Sequence, residues 1–232
     1  MKKYLLVILF FCCFSSNAQW IFQRAYGNQR NERCQSAFQT ADGGYLLNGA
    51  TTSFGTGDVD ALIIRTNASG NILLSKTCGT GGNEIPTYAA ETFDNKLIFI
   101  GTRDTSLPGT YTDALLFKTD SAGNYLWAKT FGGINNETAV KIIELPSHDY
   151  VMTGTTDSYG SGSGDIYLIK TDINGDTVFT RIYGTPNNER GTSMSTTSDG
   201  GFIICGKSSS IISGALVFQA ILLRIDSAGN IL

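Results

Sequence analysis

Four Asn-Glu pairs recur along the chain, at Asn31-Glu32, Asn83-Glu84, Asn136-Glu137 and Asn188-Glu189. Two carboxylates held about 5–10 Å apart can hydrolyse a glycoside, so these glutamates are the first candidates for chemistry. A catalytic pair is needed once, whereas these come once per repeat. Recurrence points to a task that every repeat shares: an asparagine-led turn and a glutamate that accepts backbone amide hydrogens. A repeated ligand or ion contact is the other reading of the pattern.

The remaining reactive side chains are few. His148 is the only histidine, so a Ser-His-Asp or Cys-His mechanism would have to run through it. It occupies a turn that other repeats fill with Asp-Gly or Asp-Asn, and it reads as a solvated turn residue. One histidine also rules out a histidine-rich metal site. The stretch "TDINGDT" (171–177) offers oxygen donors at Asp172, Asn174 and Asp176. In a calcium loop the glycine comes at the sixth place and a glutamate closes the loop. Gly175 comes too early for that, and a hairpin turn with glycine at positive φ is the better reading. Cys34, Cys78 and Cys205 remain once the N-terminal leader is set aside. Three cysteines cannot all pair with one another, and none has C-x-x-C spacing. Cys78 stands where the other repeats have Tyr26, Phe131 and Tyr183, and reads as a small buried apolar residue.

No catalytic, metal or cofactor-binding residue is predicted. The segments that vary most between repeats read "SFGTGDV", "SLPGTYT", "SYGSGSG" and "SSSIISGALVF". Variable loops on a constant scaffold are where binding resides. Two of them carry aromatics, Phe54 and Tyr159, that could stack on a sugar, and these are the candidate ligand contacts. The glycine-rich strings lack the helix and lysine of a phosphate-binding loop. The formal net charge is -3. Removing Lys2 and Lys3 with the leader leaves 15 basic against 20 acidic residues, a charge near -5. An acidic chain with no Lys/Arg run is a poor partner for nucleic acid or anionic membranes.

What must position these residues is a repeat. "FQRAYG", "LSKTCG", "WAKTFG" and "FTRIYG" end at Gly27, Gly79, Gly132 and Gly184, with periods of 52, 53 and 52 residues. The same period spaces the Asn-Glu pairs and a strand ending at Gly49, Gly101, Gly154 or Gly206. It also spaces an apolar strand, "DALIIRT", "DALLFKT", "DIYLIKT" or "QAILLRI". Alternation at period two predicts strands at about 125–131, 139–145 and 150–155, and the apolar run at 166–171 predicts one covered on both faces. No segment has a helical period. Four short antiparallel strands in a repeat of about 50 residues is the arithmetic of a propeller blade. The expected fold is therefore all-β, a propeller-like array of four-stranded blades with four repeats present. A β-solenoid or β-prism is the alternative.

The stretch 115–133, "LLFKTDSAGNYLWAKTFGG", resembles the repeat of secreted propeller-like proteins exported by type IX secretion in Gram-negative bacteria, and is more distantly similar to quinoprotein-type propeller repeats. The resemblance extends over all four repeats. It implies architecture and export rather than chemistry. Tryptophan stands only at Trp127, with Phe22, Leu74 and Phe179 at the equivalent places, so a quinone cofactor is not implied. The 232 residues do not include the C-terminal sorting domain typical of that group.

Lys2 and Lys3, the apolar run 4–14 and the small polar residues 15–18 form a signal peptide with cleavage after Ala18. The apolar run is too short to span a bilayer, which takes about 20 residues, so no transmembrane span remains after cleavage. Residues 19–232 form the repeat domain. The expected function is a non-enzymatic extracellular binding or scaffold module, secreted or at the cell surface, with a glycan or a protein as partner. The alternative is a carbohydrate-active or other hydrolase on a propeller scaffold. The last repeat stops at Leu232, just past the turn 226–230, so the chain is expected to be a piece of a longer protein. Ring closure through a strand at 20–26 is the other possibility.

Overall fold

The computed structural model describes residues 22–28, 30–55, 58–79, 81–104 and 111–232. The leader assigned to 1–18 lies outside them. Fifteen strands make up the regular structure of the described residues. The first sheet is β1 (Glu32–Gln39), β2 (Tyr45–Thr51), β3 (Asp60–Thr66) and β4 (Ile72–Cys78). The second is β5 (Glu84–Glu91), β6 (Leu97–Asp104), β7 (Thr112–Thr119) and β8 (Tyr125–Phe131). The third is β9 (Glu137–Glu144), β10 (Tyr150–Thr156), β11 (Asp165–Thr171) and β12 (Thr177–Tyr183). The fourth has three strands, β13 (Asn188–Thr196), β14 (Phe202–Ile212) and β15 (Ala215–Ile225). Each sheet is an antiparallel meander, and none closes into a barrel. The fold is an all-β, propeller-like array of blades.

The frame of the blade differs from the frame of the sequence repeat. The "WAKTFG" segment, which opens the repeat as read from sequence, is β8, the outer strand of the second sheet. It pairs backwards with β7 rather than forwards with β9. The tight turn before it (120–124) makes a hairpin, whereas the longer Gly-Gly-x-Asn-Asn stretch after it carries the chain to the next sheet. The fourth sheet differs from the expected four strands because the segment after the turn 226–230 pairs only through the bridge Ile225↔Ile231. Of the strand expected at 20–26, the described residues 22–26 form none.

The core lies between sheets. One cluster joins Leu46, Ala61 and Ile63 of the first sheet to Leu97, Phe99 and Phe117 of the second. A second joins Ile98, Ile100 and Leu116 to Ile142, Tyr150 and Met152. A third joins Val151, Ile166 and Leu168 to Met194, Phe202 and Ile204. A strand such as β7 feeds both neighbours, Leu116 one way and Leu115 and Phe117 the other. That is why its sequence is a continuous apolar run rather than an alternation.

The repeated glycine that follows each second-strand run has one job. The first strand of every sheet carries a bulge opposite it, at Cys34/Ser36, Pro86/Tyr88 and Gly191/Ser193, and at Thr153/Gly154 of the third. The bulged backbone comes so close that a Cβ at Gly49 or Gly154 would sit 1.7 Å from the carbonyl oxygen of Arg33 or Thr138. Only glycine fits there.

In the fourth repeat, "SSSIISGALVF" is a strand hairpin and not a loop. Its ladder runs out to Ile212↔Ala215 and turns through Ser213 and Gly214, both at positive φ (52° and 81°). Positive φ at both central residues is the two-residue turn that matches strand twist. The other repeats have an aspartate at the start of the third strand, and this repeat has Gln219. In the third sheet that aspartate, Asp165, accepts the amides of Ser161 and Gly162 and curls the loop.

Candidate functional site

The Asn-Glu pairs clasp one sheet to the next. Glu137 is fully buried. Its Oε1 accepts from Thr156 Oγ1 (2.7 Å) and Ser158 N (3.0 Å), and its Oε2 accepts from Gly133 N (2.8 Å). Glu189 repeats the pattern with Ser208 Oγ (2.7 Å) and Thr185 N (2.9 Å). Glu84 takes Arg103 Nε at 3.1 Å in place of a hydroxyl. The asparagines reach back to the preceding sheet. Asn83 Oδ1 accepts from Val59 N (3.0 Å), and Asn136 Oδ1 accepts from Thr112 N (3.1 Å). The second and third pairs thus tie the residues that lead into a third strand to the start of the following blade.

A second carboxylate that sequence reasoning missed converges on each inner glutamate. Asp60, Asp113 and Asp165 open the third strands, and a Cβ added to Gly79, Gly132 or Gly184 would meet both acids. At Gly132 it would lie 1.9 Å from Asp113 Oδ1 and 2.6 Å from Glu137 Oε2. At Gly184 it would lie 1.7 Å from Asp165 Oδ1 and 3.1 Å from Glu189 Oε2. This close approach makes the terminal glycine of "WAKTFG" and "FTRIYG" obligatory. The missed signal was the aspartate that opens "DALIIRT", "DALLFKT" and "DIYLIKT". Burial, and then the neighbouring Glu137 charge, push the Asp113 carboxyl above its ordinary range. Burial also pushes Glu189 up, but hydrogen bonds from Ser208 and Thr185 outweigh it and hold the group below its usual value. Asp60, Asp165, Glu84, Glu137 and Glu189 are buried, and Asp113 is half-buried.

A third repeated device pins the inner hairpins. The turn aspartates Asp42, Asp94, Asp149 and Asp199 pair with Arg65 (2.9 Å), Lys118 (3.1 Å), Lys170 (3.1 Å) and Arg224 (2.5 Å). Lys118 is buried, and its Nζ also donates to Tyr150 Oη at 2.8 Å across the second interface. Hydrogen bonds from the Thr197 hydroxyl, Arg224 and Gly201 N pull Asp199 down to about 2. Asp42 is held low chiefly by Thr40, and Asp94 by Lys96, Thr92 and Lys118 against the opposing effect of burial. A carboxyl depressed in the folded state stabilises it above the unfolded value of about 3.9 and loses that contribution as pH falls through the folded value. The thermal midpoint is therefore expected to hold from neutral pH to about pH 4 and to drop steeply between about pH 4 and 2. Thermal melts across that range check it, and a flat profile would show the turn ion pairs to be unimportant.

The other sequence candidates fall as follows. Asp172 Oδ1 accepts from Asn174 N (2.8 Å) and Asp176 N (2.9 Å), Asp176 Oδ1 accepts from Lys129 Nζ (2.7 Å), and Gly175 has φ 81°. These oxygens are engaged in a hairpin turn. His148 is exposed in the β9–β10 turn at φ 66°, with Nδ1 3.4 Å from Glu144 Oε1 and its ring edge-on to Phe93. Cys78 is buried, with Sγ 3.9 Å from Gly123 O, and burial raises its thiol to about 11. Cys34 and Cys205 are exposed. Phe54 and Tyr159 hold equivalent positions in the first and third sheets and are 48% and 42% exposed. Tyr159 Oη donates to Gly132 O (2.8 Å), which fixes its ring. Tyr111, just before β7, and Ile134, in the approach to β9, are exposed as well. A groove of about 270 Å³ lies between residues 24–26 and the outward face of the first sheet, lined by Cys34, Leu47, Leu62 and Ile64 among others.

Among the described residues, no group of three or more His, Cys, Asp or Glu could hold a metal ion. Among them, too, no helix is long and apolar enough to cross a membrane. No protein-family model and no curated protein matches the chain.

Proposed function

We propose that the chain is a non-enzymatic extracellular binding or scaffold module of a secreted or cell-surface bacterial repeat protein. One observation carries this reading. The acids and amides that repeat are engaged in hydrogen bonds at the sheet ends, and exposed aromatics that vary between repeats, Phe54, Tyr111 and Tyr159, stand between a second and a third strand. A rigid scaffold with one variable edge is the arrangement of binding proteins. An aromatic face held at a set angle, as Tyr159 is by its hydroxyl, suits stacking on a sugar ring or packing on a protein. The N-terminal residues 1–18 support export, and the repeat likeness supports a type IX route.

A glycan array run beside a polysaccharide hydrolysis screen tests the reading. Binding without turnover is expected, lost on replacing Phe54 or Tyr159 with alanine while the melting temperature stays within about 1–2 °C. Turnover of any polysaccharide would favour the hydrolase alternative instead.

A further inference from the structure

In the fourth sheet the hairpin between the second and third strands outgrows its counterparts. That ladder ends at Thr51↔Asp60 in the first sheet, Asp104↔Thr112 in the second and Thr156↔Asp165 in the third. Ser208↔Gln219 is the equivalent of the first and third of these pairs, and the fourth sheet adds four more, out to Ile212↔Ala215. At about 3.3 Å per residue, the added pairs make an arm of about 13 Å. The level reached by an outer strand lies below it. Cys78, Phe131 and Tyr183 pair with Ala61, Ala114 and Ile166, one residue inside the aspartates that Gln219 replaces.

The arm is apolar on both faces. Side chains alternate along a strand, so Phe202, Ile204 and Ile212 share one face of β14. Phe202 and Ile204 pack on the third sheet. Ile212 and its cross-strand neighbour Ala215 are exposed, Ile212 by 50%, because the arm has passed the edge of that sheet. Ile211 and Leu216 pair on the other face and are 76% and 61% exposed. No charged residue stands between Lys207 and Arg224. Lys207 lies at the base of the arm, its Nζ 5.6 Å from the centre of the Phe218 ring. None of the corresponding segments "SFGTGDV", "SLPGTYT" and "SYGSGSG" has two aliphatic residues in a row.

We infer that this arm, residues 209–218, is a lipid anchor whose tip enters the interfacial layer of a neutral membrane. Isoleucine and leucine exposed on both sides of a two-stranded ribbon fit a partner that surrounds the tip, as lipid does. A protein groove covers one face and leaves the other in water. The tip brings little unpaired backbone between its strands, since the ladder continues to Ile212↔Ala215 and the chain reverses through Ser213 and Gly214 alone. The two outermost pairs reach about 7 Å, within the depth of about 5–10 Å taken by an interfacial segment. Lys207 then stands level with headgroup phosphates, its stem beside Phe218. The arm itself is uncharged and the chain is acidic, with a formal net charge of -3, so the surface that fits is zwitterionic rather than anionic.

Flotation with phosphatidylcholine vesicles, using the chain from Gln19 onward so that the apolar leader takes no part, tests the inference. The chain is expected to float with the vesicles at low and at high salt. Ile211→Asp and Leu216→Asp should each lower partitioning on the order of tenfold or more, because an inserted aliphatic side chain is exchanged for a charge. Both sites are exposed, so the melting temperature should hold. Leu73→Asp, at a residue as exposed as Leu216 but on β4, should leave flotation unchanged. A Leu216→Trp chain should emit at shorter wavelength on vesicles and be quenched by lipid brominated on its acyl chains. A chain that does not float would overturn the inference, as would flotation that survives both arm aspartates. Flotation confined to phosphatidylserine vesicles and abolished by salt would overturn it too, by assigning the contact to charge. Arm variants that float like the parent but sediment at a lower mass would instead assign the arm to contact between copies of the chain.

Discussion

Replacing Leu168 with alanine is expected to cost about 2–5 kcal/mol, the range for emptying a leucine site in a closed core. Leu168 sits on β11 between Val151, Met194 and Ile204, with no exposure. The same replacement at Leu222, the equivalent residue of the fourth sheet and 72% exposed, is expected to change stability by no more than about 0.5 kcal/mol. The two leucines have the same repeat position, Leu168 between Tyr167 and Ile169 and Leu222 between Ile221 and Leu223, and among the described residues only Leu168 has a following sheet packed on it. Urea titrations of both variants supply the comparison. Stacked repeats lose cooperativity when one interface weakens, so hydrogen exchange should locate the Leu168→Ala loss in β13–β15. Equal costs at both positions would mean that the core is not organised between sheets.

Replacing Glu137 with alanine is expected to be comparably damaging, at about 3 kcal/mol or more. It strands the buried Thr156 hydroxyl and two part-buried amides, Gly133 N and Ser158 N. A buried donor left without an acceptor costs about 1–3 kcal/mol. Relief of the charge repulsion on Asp113 offsets part of this. For a chain of this size, 3 kcal/mol corresponds to a fall of about 6–12 °C in melting temperature. Glu32 makes the matching contacts to Asn28 N and Thr51 Oγ1 at 3.3 and 3.2 Å, but at the open end of the array. There water replaces the lost acceptor, and Glu32→Ala should be far milder. A large loss at Glu32 as well, or none at Glu137, would detach the Asn-Glu pairs from the job of clasping blades.

Much of the fold was legible because a repeat samples the same physical problem four times. The recurrence at about 52 residues, the strands near 125–131 and 150–155, and the turn reading of 171–177 follow from local rules of alternation and turn chemistry. These rules act over a few residues, and a sequence displays them directly. Recurrence also argued against catalysis by the Asn-Glu pairs, since a task found in every repeat belongs to the scaffold.

Which strand belongs to which blade was not legible, because period does not define phase: a repeat of four strands can be cut at any of them. The tertiary structure decided it by pairing "WAKTFG" with the strand before it. Nor could the sequence bring Asp113 to Glu137. They lie 24 positions apart, and only the packing of one sheet on another places both beside Gly132. The hairpin at 202–225 was hidden for a related reason. Its serines and glycine read as a loop until the loss of the curling aspartate, Gln219 in its place, let the ladder continue. Local composition determined the elements and their spacing. The contacts between sheets, made by residues distant in the chain, decided which acids pair, which glycines are obligatory and which leucine is left facing solvent.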